Sequence, residues 1–144
     1  MKTYSALPAA RYDQQVLRDI LVEHLSKVDG LVAAYLFGSR ARGTAGAESD
    51  VDIALWLKTA PRTLEELPLE LGAQLEQQLG TKADVVVLNG ASTDLIHRVL
   101  RDGVLLVERD RSARIRFEVR ARSDYFDLLP IRNAYRYGRG GVQT

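Results

Sequence analysis

The stretch FGSRARGTAGAESDVDIAL, Phe37 to Leu55, decides the fold because two runs typical of buried strands meet in it. The first run, LVAAYLF (Leu31–Phe37), is continuously apolar, and the second, VDIALWL, covers Val51–Leu57. Because side chains alternate along a strand, Asp50 and Asp52 point to one face and the apolar residues between them to the other. Two carboxylates at the start of a buried strand are costly unless something holds them. The stretch therefore predicts a functional site as well as a fold.

The paired aspartates favour a magnesium site. Like charges a few ångströms apart raise the pKa of one carboxyl strongly unless a cation lies between them. Magnesium prefers oxygen ligands, needs only one or two protein carboxylates, and completes its shell with water and substrate phosphates. Gly38 and Ser39 end the preceding strand, where the chain can turn sharply into a short helix that presents backbone N–H groups to an anion. Together these features predict a site for a nucleoside triphosphate with magnesium.

Asp84 and two arginines extend the candidate site. Asp84 opens a third predicted strand, ADVVVL, over residues 83–88. If that strand lies beside the second, Asp84 completes an acidic triad, either as a metal ligand or as the base that accepts a hydroxyl proton. Arg40 and Arg42 follow the glycine turn closely enough to contact phosphates. Each feature alone has an ordinary explanation, as a turn, a solvated carboxylate or an exposed cation.

The other elements follow from periodicity and punctuation. The alternating order of helices and strands predicts one α/β or α+β domain over residues 1–144, with a core over about 14–108, a C-terminal helical extension over 109–136 and a frayed tail over 137–144. In the extension, Pro130 is expected to kink or restart the helix. The remaining predictions are helices over 12–26, over 63–80 with an irregularity at Pro68, and over 92–102 with Ser92 or Thr93 as the N-cap and Gly103 as the stop, and a last strand over 104–108.

Composition narrows the function classes. The chain has no cysteine, which excludes disulfides and thiolate metal sites. It also has no apolar signal core and no run of roughly 20 apolar residues, so we expect a cytoplasmic protein without a membrane anchor. Residues 1–108 carry 11 basic against 15 acidic side chains, whereas residues 109–144 carry 9 against 4. The basic end suits a triphosphate, nucleic acid or an acidic protein, or it is simply a solvated helix.

The motif Gly38-Ser39, ten residues, then Asp50-Val51-Asp52 resembles the signature of the DNA polymerase β-like nucleotidyltransferase superfamily, in particular its minimal nucleotidyltransferases, the MNT proteins. The resemblance covers roughly residues 14–108. It implies a small mixed sheet of about four strands flanked by helices, and transfer of a nucleoside monophosphate with release of pyrophosphate. It further implies that Gly38 and Ser39 hold the triphosphate, that Asp50 and Asp52 bind Mg²⁺, as two ions, and that Asp84 is the third acid.

Stand-alone chains of this family are often antitoxins paired with a helical HEPN ribonuclease toxin. The resemblance therefore implies that ATP is the substrate, that AMP is transferred to a tyrosine of the toxin, and that direct binding of nucleic acid is not expected. It makes the C-terminal helix a candidate docking surface for the toxin; the alternative is that the helix packs on its own core. The residues proposed for this surface are Ile115, Phe117, Tyr125, Phe126 and Leu128.

Three other functions can be distinguished from transfer of AMP to a toxin. The same chemistry could act on a small molecule such as an aminoglycoside, although such enzymes usually carry a further substrate-binding domain. The chain could also neutralise a partner by binding alone, which intact aspartates argue against. A HEPN ribonuclease is disfavoured, because Arg18 and His24 have the spacing of its motif but the tyrosine two residues after the histidine is missing. We expect His24 and His97 to be surface residues flanking helices.

Overall fold

The computed structural model describes residues 14–42, 50–61 and 66–138, with side chains as far as residue 127. The predicted helix starts at 12–13 and 63–65 and the tail at 139–144 lie outside these residues. The described elements, in chain order, are α1 Gln14–Leu25, β1 Leu31–Phe37, α2 Ser39–Arg42, β2 Val51–Leu57, α3 Glu66–Leu79, β3 Ala83–Val87, α4 Thr93–Asp102, β4 Val104–Glu108 and α5 Arg111–Gly138.

The four strands form one mixed sheet in the order β3-β2-β1-β4. Strand β1 is antiparallel to both β2 and β4, and β2 is parallel to β3. This confirms the small mixed sheet flanked by helices. All seven residues of β1 are buried, as its unbroken apolar run predicts. In this topology the C-terminal end of β1 and the N-terminal ends of β2, β3 and β4 meet at one edge of the sheet, which we call the site edge.

Helices cover both faces of the sheet. On one face, α1 and α3 pack leucines against the inward residues of β2, among them Val51 and Ile53. On the other face, α4 and α5 contribute Val99 and Phe117. Phe117 stacks on Trp56 of β2 with ring centroids 3.6 Å apart. The alternation predicted for β2 is therefore confirmed, and it places Asp52 on the face that α4 and α5 cover.

The helix limits match the sequence signals except at two prolines. Ser92 is the N-cap of α4, accepting a hydrogen bond from the Leu95 N–H at 3.2 Å, and Gly103 is the C-cap. Pro68 lies in the first described turn of α3, and the helix continues to Leu79, so the expected irregularity is absent from the described part of the helix. Of the two outcomes expected at Pro130, a kink or a restart, the restart is wrong because helix α5 continues to Gly138. A proline removes one helical hydrogen bond, and those on either side can persist.

One side of the C-terminal helix packs on the protein's own core, as the alternative to a docking surface predicts, and another side is exposed. Phe117 is buried and Tyr125 stacks on His97, with ring centroids 3.7 Å apart, so these residues pack on the protein's own core. His97 is consequently part of the α4–α5 contact rather than a flanking surface residue. Ile115 and Phe126 are exposed.

No helix within the described ranges is long and apolar enough to span a membrane.

Candidate active site

The turn after β1 places Gly38 directly against Asp52. Gly38 has a φ of +74°, in the left-handed region that side chains with a Cβ rarely adopt. A Cβ at this position would overlap the Asp52 carboxylate oxygen Oδ2. The turn continues into α2, where the N–H groups of Ala41 and Arg42 donate to the Gly38 carbonyl at 3.1 and 3.2 Å. Glycine is therefore required here both for the backbone conformation and for the approach of the carboxylate.

The sheet register brings the acidic residues to the site edge. Asp52 and Asp84 are partners in the parallel pairing of β2 and β3, and Asp52 is the antiparallel partner of Phe37. The expectation that the third strand lies beside the second is thus confirmed. Asp50 precedes β2 and is half-buried. Lys82 Nζ lies 4.0 Å from Asp84 Oδ1, but both side chains are exposed, so this ion pair contributes little to stability.

The pKa of the Asp52 carboxyl is raised by burial and by the neighbouring carboxylates. Burial raises the pKa of the Asp52 carboxyl, and the negative charges of Asp84 and Asp50 raise it further. The positive charges of Arg98 and Arg42 oppose the rise. A cation at this point would relieve the repulsion among the carboxylates. The site is therefore electrostatically prepared for a positively charged ligand.

The two arginines of α2 differ sharply in exposure. Arg40 is only 7% exposed, and burial lowers the pKa of its guanidinium. Its carbonyl accepts a hydrogen bond from Gln14 Nε2 at 3.4 Å. Arg42 is exposed and close enough to Asp52 to influence its pKa. Because a phosphate-binding side chain must be accessible, Arg42 is the stronger candidate of the two.

Arg98 is a site residue that sequence reasoning missed. No motif surrounds it, and in the sequence it is one of several charged residues on a predicted helix. Its charge lowers the pKa of the Asp52 carboxyl, because α4 starts after the C-terminal end of β3 and returns toward the site edge, where Val104 pairs with Leu36. That path depends on the strand order, which the residues of α4 do not reveal.

The donor set at the site edge fits magnesium better than a transition metal, because the candidate ligands are all carboxylate oxygens. In the described part of the chain, no group of three or more acidic or histidine side chains could hold a metal ion by itself. Magnesium does not need such a group, since it is typically held by one or two carboxylates and by phosphate oxygens of the substrate. The residues present fit an ion that is bound together with a triphosphate.

A cavity of about 580 Å³ lies at the other end of β2, between α4 and α5. Its lining includes Trp56, Ile96 and Phe117, with Lys58 and Arg116 among its charged residues. None of the three aspartates of the candidate site lines it. A smaller hollow of about 360 Å³ beside β3 does include Asp84. The larger cavity is therefore separate from the carboxylates that could perform chemistry.

Comparison with protein families gives a match to the model described as polymerase beta, nucleotidyltransferase, over residues 20–112. The protein adenylyltransferase MntA of Aphanizomenon flos-aquae is 35% identical over 101 residues, which cover 64% of this chain and 67% of that protein. The protein adenylyltransferase MntA of Shewanella oneidensis is 32% identical over 123 residues, covering 84% of this chain and 86% of that one.

Two solved structures are similar over most of the chain. A crystal structure of a toxin–antitoxin with AMP-PNP has a TM-score of 0.72 at 31% identity, covering 82% of this chain and 94% of that chain. A structure of the tri-AMPylated Shewanella oneidensis HEPN toxin in complex with MNT antitoxin has a TM-score of 0.70 at 27% identity, covering 85% and 94%. The family match over residues 20–112 includes Asp50 and the strands β2 and β3, which carry Asp52 and Asp84.

Proposed function

Because this chain belongs to the polymerase β nucleotidyltransferase family, we propose that it is an antitoxin that transfers AMP from ATP to a tyrosine hydroxyl of a HEPN ribonuclease toxin and thereby neutralises it. The acceptor class follows from the relatives, which are named protein adenylyltransferases and include an antitoxin crystallised with an AMPylated toxin. The nucleotide follows from a similar toxin–antitoxin crystallised with AMP-PNP, an ATP analogue.

One geometric observation carries the proposal for this chain. The Asp52 carboxylate lies against a glycine that no other residue can replace without overlap, and its strand partner is Asp84. A protein that served only to bind a partner would have no need of a left-handed glycine turn packed against mutually repelling carboxylates. The arrangement is explained by a site that binds a triphosphate together with a cation.

The chain's own groups would position the triphosphate. Gly38 lets the backbone approach the phosphates closely, and the N–H groups and hydroxyl around Ser39 would hydrogen-bond to their oxygens. Arg42 would contact the β- or γ-phosphate, whereas the buried Arg40 is a weaker candidate. Positioning of this kind can contribute several kcal/mol to phosphoryl transfer, roughly 7–11 at the limit.

The acidic residues would bind the metal ions and accept the proton of the attacking hydroxyl. Asp50 and Asp52, with Asp84 as a further ligand, would hold one or two Mg²⁺ ions, which when bound offset charge on the phosphates and lower the pKa of the attacking hydroxyl. The tyrosine oxygen forms a bond to the α-phosphorus in line with the leaving group, and the bond from that phosphorus to the bridging oxygen breaks, releasing pyrophosphate. An Asp84 carboxylate oxygen would accept the hydroxyl proton.

Labelled ATP tests this assignment. With the wild-type chain, toxin and magnesium, we expect label in the α-phosphate to appear on the toxin and label in the γ-phosphate to remain in pyrophosphate. Asp52→Asn should abolish transfer, whereas Asp29→Asn, an exposed residue outside the site edge, should leave it intact. Transfer of the γ-label, or full activity of Asp52→Asn, would overturn the proposal.

A further inference from the structure

Three apolar side chains form an exposed stripe on α5. Ile115, Val119 and Phe126 are 42%, 61% and 58% exposed. Spacings of four and seven residues place them on one side of a helix. By the same spacing Arg111 and Arg122 belong to this side, where Arg122 is half exposed and lies 3.5 Å from Glu118. We call these five residues the α5 stripe.

The rest of α5 is anchored to the sheet through its other side. Phe117 is buried against Trp56, and the Tyr35 hydroxyl donates to Glu118 Oε2 at 2.8 Å. Arg114 reinforces this attachment by pairing with Glu118 at 2.7 Å and with Glu108. Within the α5 stripe, Phe126 contacts His97 of α4 edge-on, with ring centroids 6.4 Å apart, so the helix is held mainly by its other side. The α5 stripe is a surface on a firmly fixed element, which is what a docking site requires.

We propose that the α5 stripe is the surface on which the toxin partner docks, through an apolar patch bordered by acidic side chains. This inference rests on the proposed function for the identity of the partner. Contiguous exposed apolar residues with flanking arginines are typical of protein interfaces, where aromatic residues and arginine are enriched.

Charge identifies the occupant. Residues 109–144 carry nine arginines against four acidic residues, so the surface complements an acidic partner and disfavours a second copy of this chain, whose own α5 would be equally basic. RNA would be attracted by the arginines but would gain nothing from an aliphatic row, because its binding depends on phosphate contacts and base stacking. An acidic protein surface satisfies both the charges and the apolar side chains.

The test combines three substitutions in the full-length chain, Ile115→Gln, Val119→Gln and Phe126→Gln. Glutamine is a good helix former, so α5 should be retained. The matched control is Leu69→Gln on α3, which removes a leucine that is 73% exposed and lies outside the stripe. Titration calorimetry with the purified toxin should show binding weakened at least about tenfold for the triple variant. Binding by the control should stay within about twofold of the wild type.

Several results would overturn the inference. Unchanged toxin affinity of the triple variant would exclude the α5 stripe. The same holds if the wild-type chain is a dimer that the triple variant abolishes while toxin binding persists, or if the substitutions weaken RNA binding and not toxin binding. Circular dichroism and ATP affinity equal to those of the wild type show that any loss of toxin binding is local.

The docking surface and the catalytic proposal fail separately. If the wild-type chain binds the toxin through the α5 stripe without modifying it, the proposed transfer is wrong and the docking surface stands. If the triple variant modifies the toxin with the wild-type KM, the surface is wrong and the transfer stands.

Discussion

Replacing Gly38 with alanine tests the contact on which the candidate site is built. Gly38 combines a left-handed backbone with a carboxylate where its Cβ would be. Gly30 offers a matched control, because its φ of +71° is nearly the same and nothing lies within 4 Å of the position of its Cβ. Comparison of the two alanine variants separates the backbone effect from displacement of Asp52.

The expected magnitudes follow from this difference. The left-handed conformation costs a residue with a Cβ about 1–2 kcal/mol, which is the loss in unfolding free energy expected for Gly30→Ala. Pushing the Asp52 side chain off its rotamer adds about 1 kcal/mol, so Gly38→Ala should lose about 2–3 kcal/mol. Because Asp52 is a proposed metal ligand, its displacement should also reduce AMP transfer by about 100-fold. Gly30→Ala should remain active.

Urea unfolding and a transfer assay measure both effects. A double substitution isolates the contact: in an Asp52→Ala background, Gly38→Ala should cost no more than Gly30→Ala, because the Asp52 Cβ is 3.4 Å away, an ordinary contact distance. The reasoning is refuted if Gly38→Ala keeps wild-type activity, or if its stability cost is the same with and without the Asp52 carboxylate.

Three further predictions concern charge and packing. Asp52→Asn should raise the unfolding free energy of the ligand-free protein at neutral pH, because folding raises the pKa of this carboxyl. This stabilisation should vanish below pH 3.8, the ordinary pKa of the group, where it is protonated in the folded and the unfolded state. Urea unfolding that showed the same stabilisation at neutral pH and below pH 3.8 would contradict this. Arg98→Gln should weaken ATP binding in the presence of magnesium by about fivefold, or about 1 kcal/mol, and Arg120→Gln should leave it unchanged, both measured by calorimetry. An equal loss of ATP affinity in the two variants would mean that Arg98 does not belong to the site. Phe117→Ala should lower the unfolding free energy by about 3 kcal/mol, whereas Phe126→Ala, which loses only edge-on ring contacts with His97 and Tyr125, should lower it by about 1 kcal/mol. Similar losses on denaturant unfolding would mean that the two sides of α5 are misassigned.

Much of the sheet was predictable because its strands are marked locally. Leu31–Phe37 is an unbroken apolar run with a glycine at each end, and Val51–Leu57 combines such a run with an acidic start. The same local marking limited the N-cap to Ser92 or Thr93, and Ser92 is the cap, since its hydroxyl lies within three residues of its partner. The placement of Asp84 beside Asp52 required the strand order, which the sequence alone left conditional.

The features that sequence reasoning missed depend on tertiary packing. Arginines and apolar residues occur on several sides of α5, so its sequence does not show that Phe117 is buried while Phe126 is exposed. Arg40 and Arg42 look equivalent in the sequence, yet only Arg42 is exposed. Arg98 reaches the site through the path of α4. In each case the deciding fact is which neighbouring element covers the side chain.

We propose that this chain transfers AMP to a tyrosine of a HEPN toxin. The most direct test is the intact mass of the HEPN toxin after incubation with this protein, ATP and magnesium, with peptide mapping of the modified residue and Asp50→Asn as the inactive control. We expect added adenylate units on tyrosine that are absent with Asp50→Asn. An unchanged toxin mass despite formation of a stable complex would contradict it.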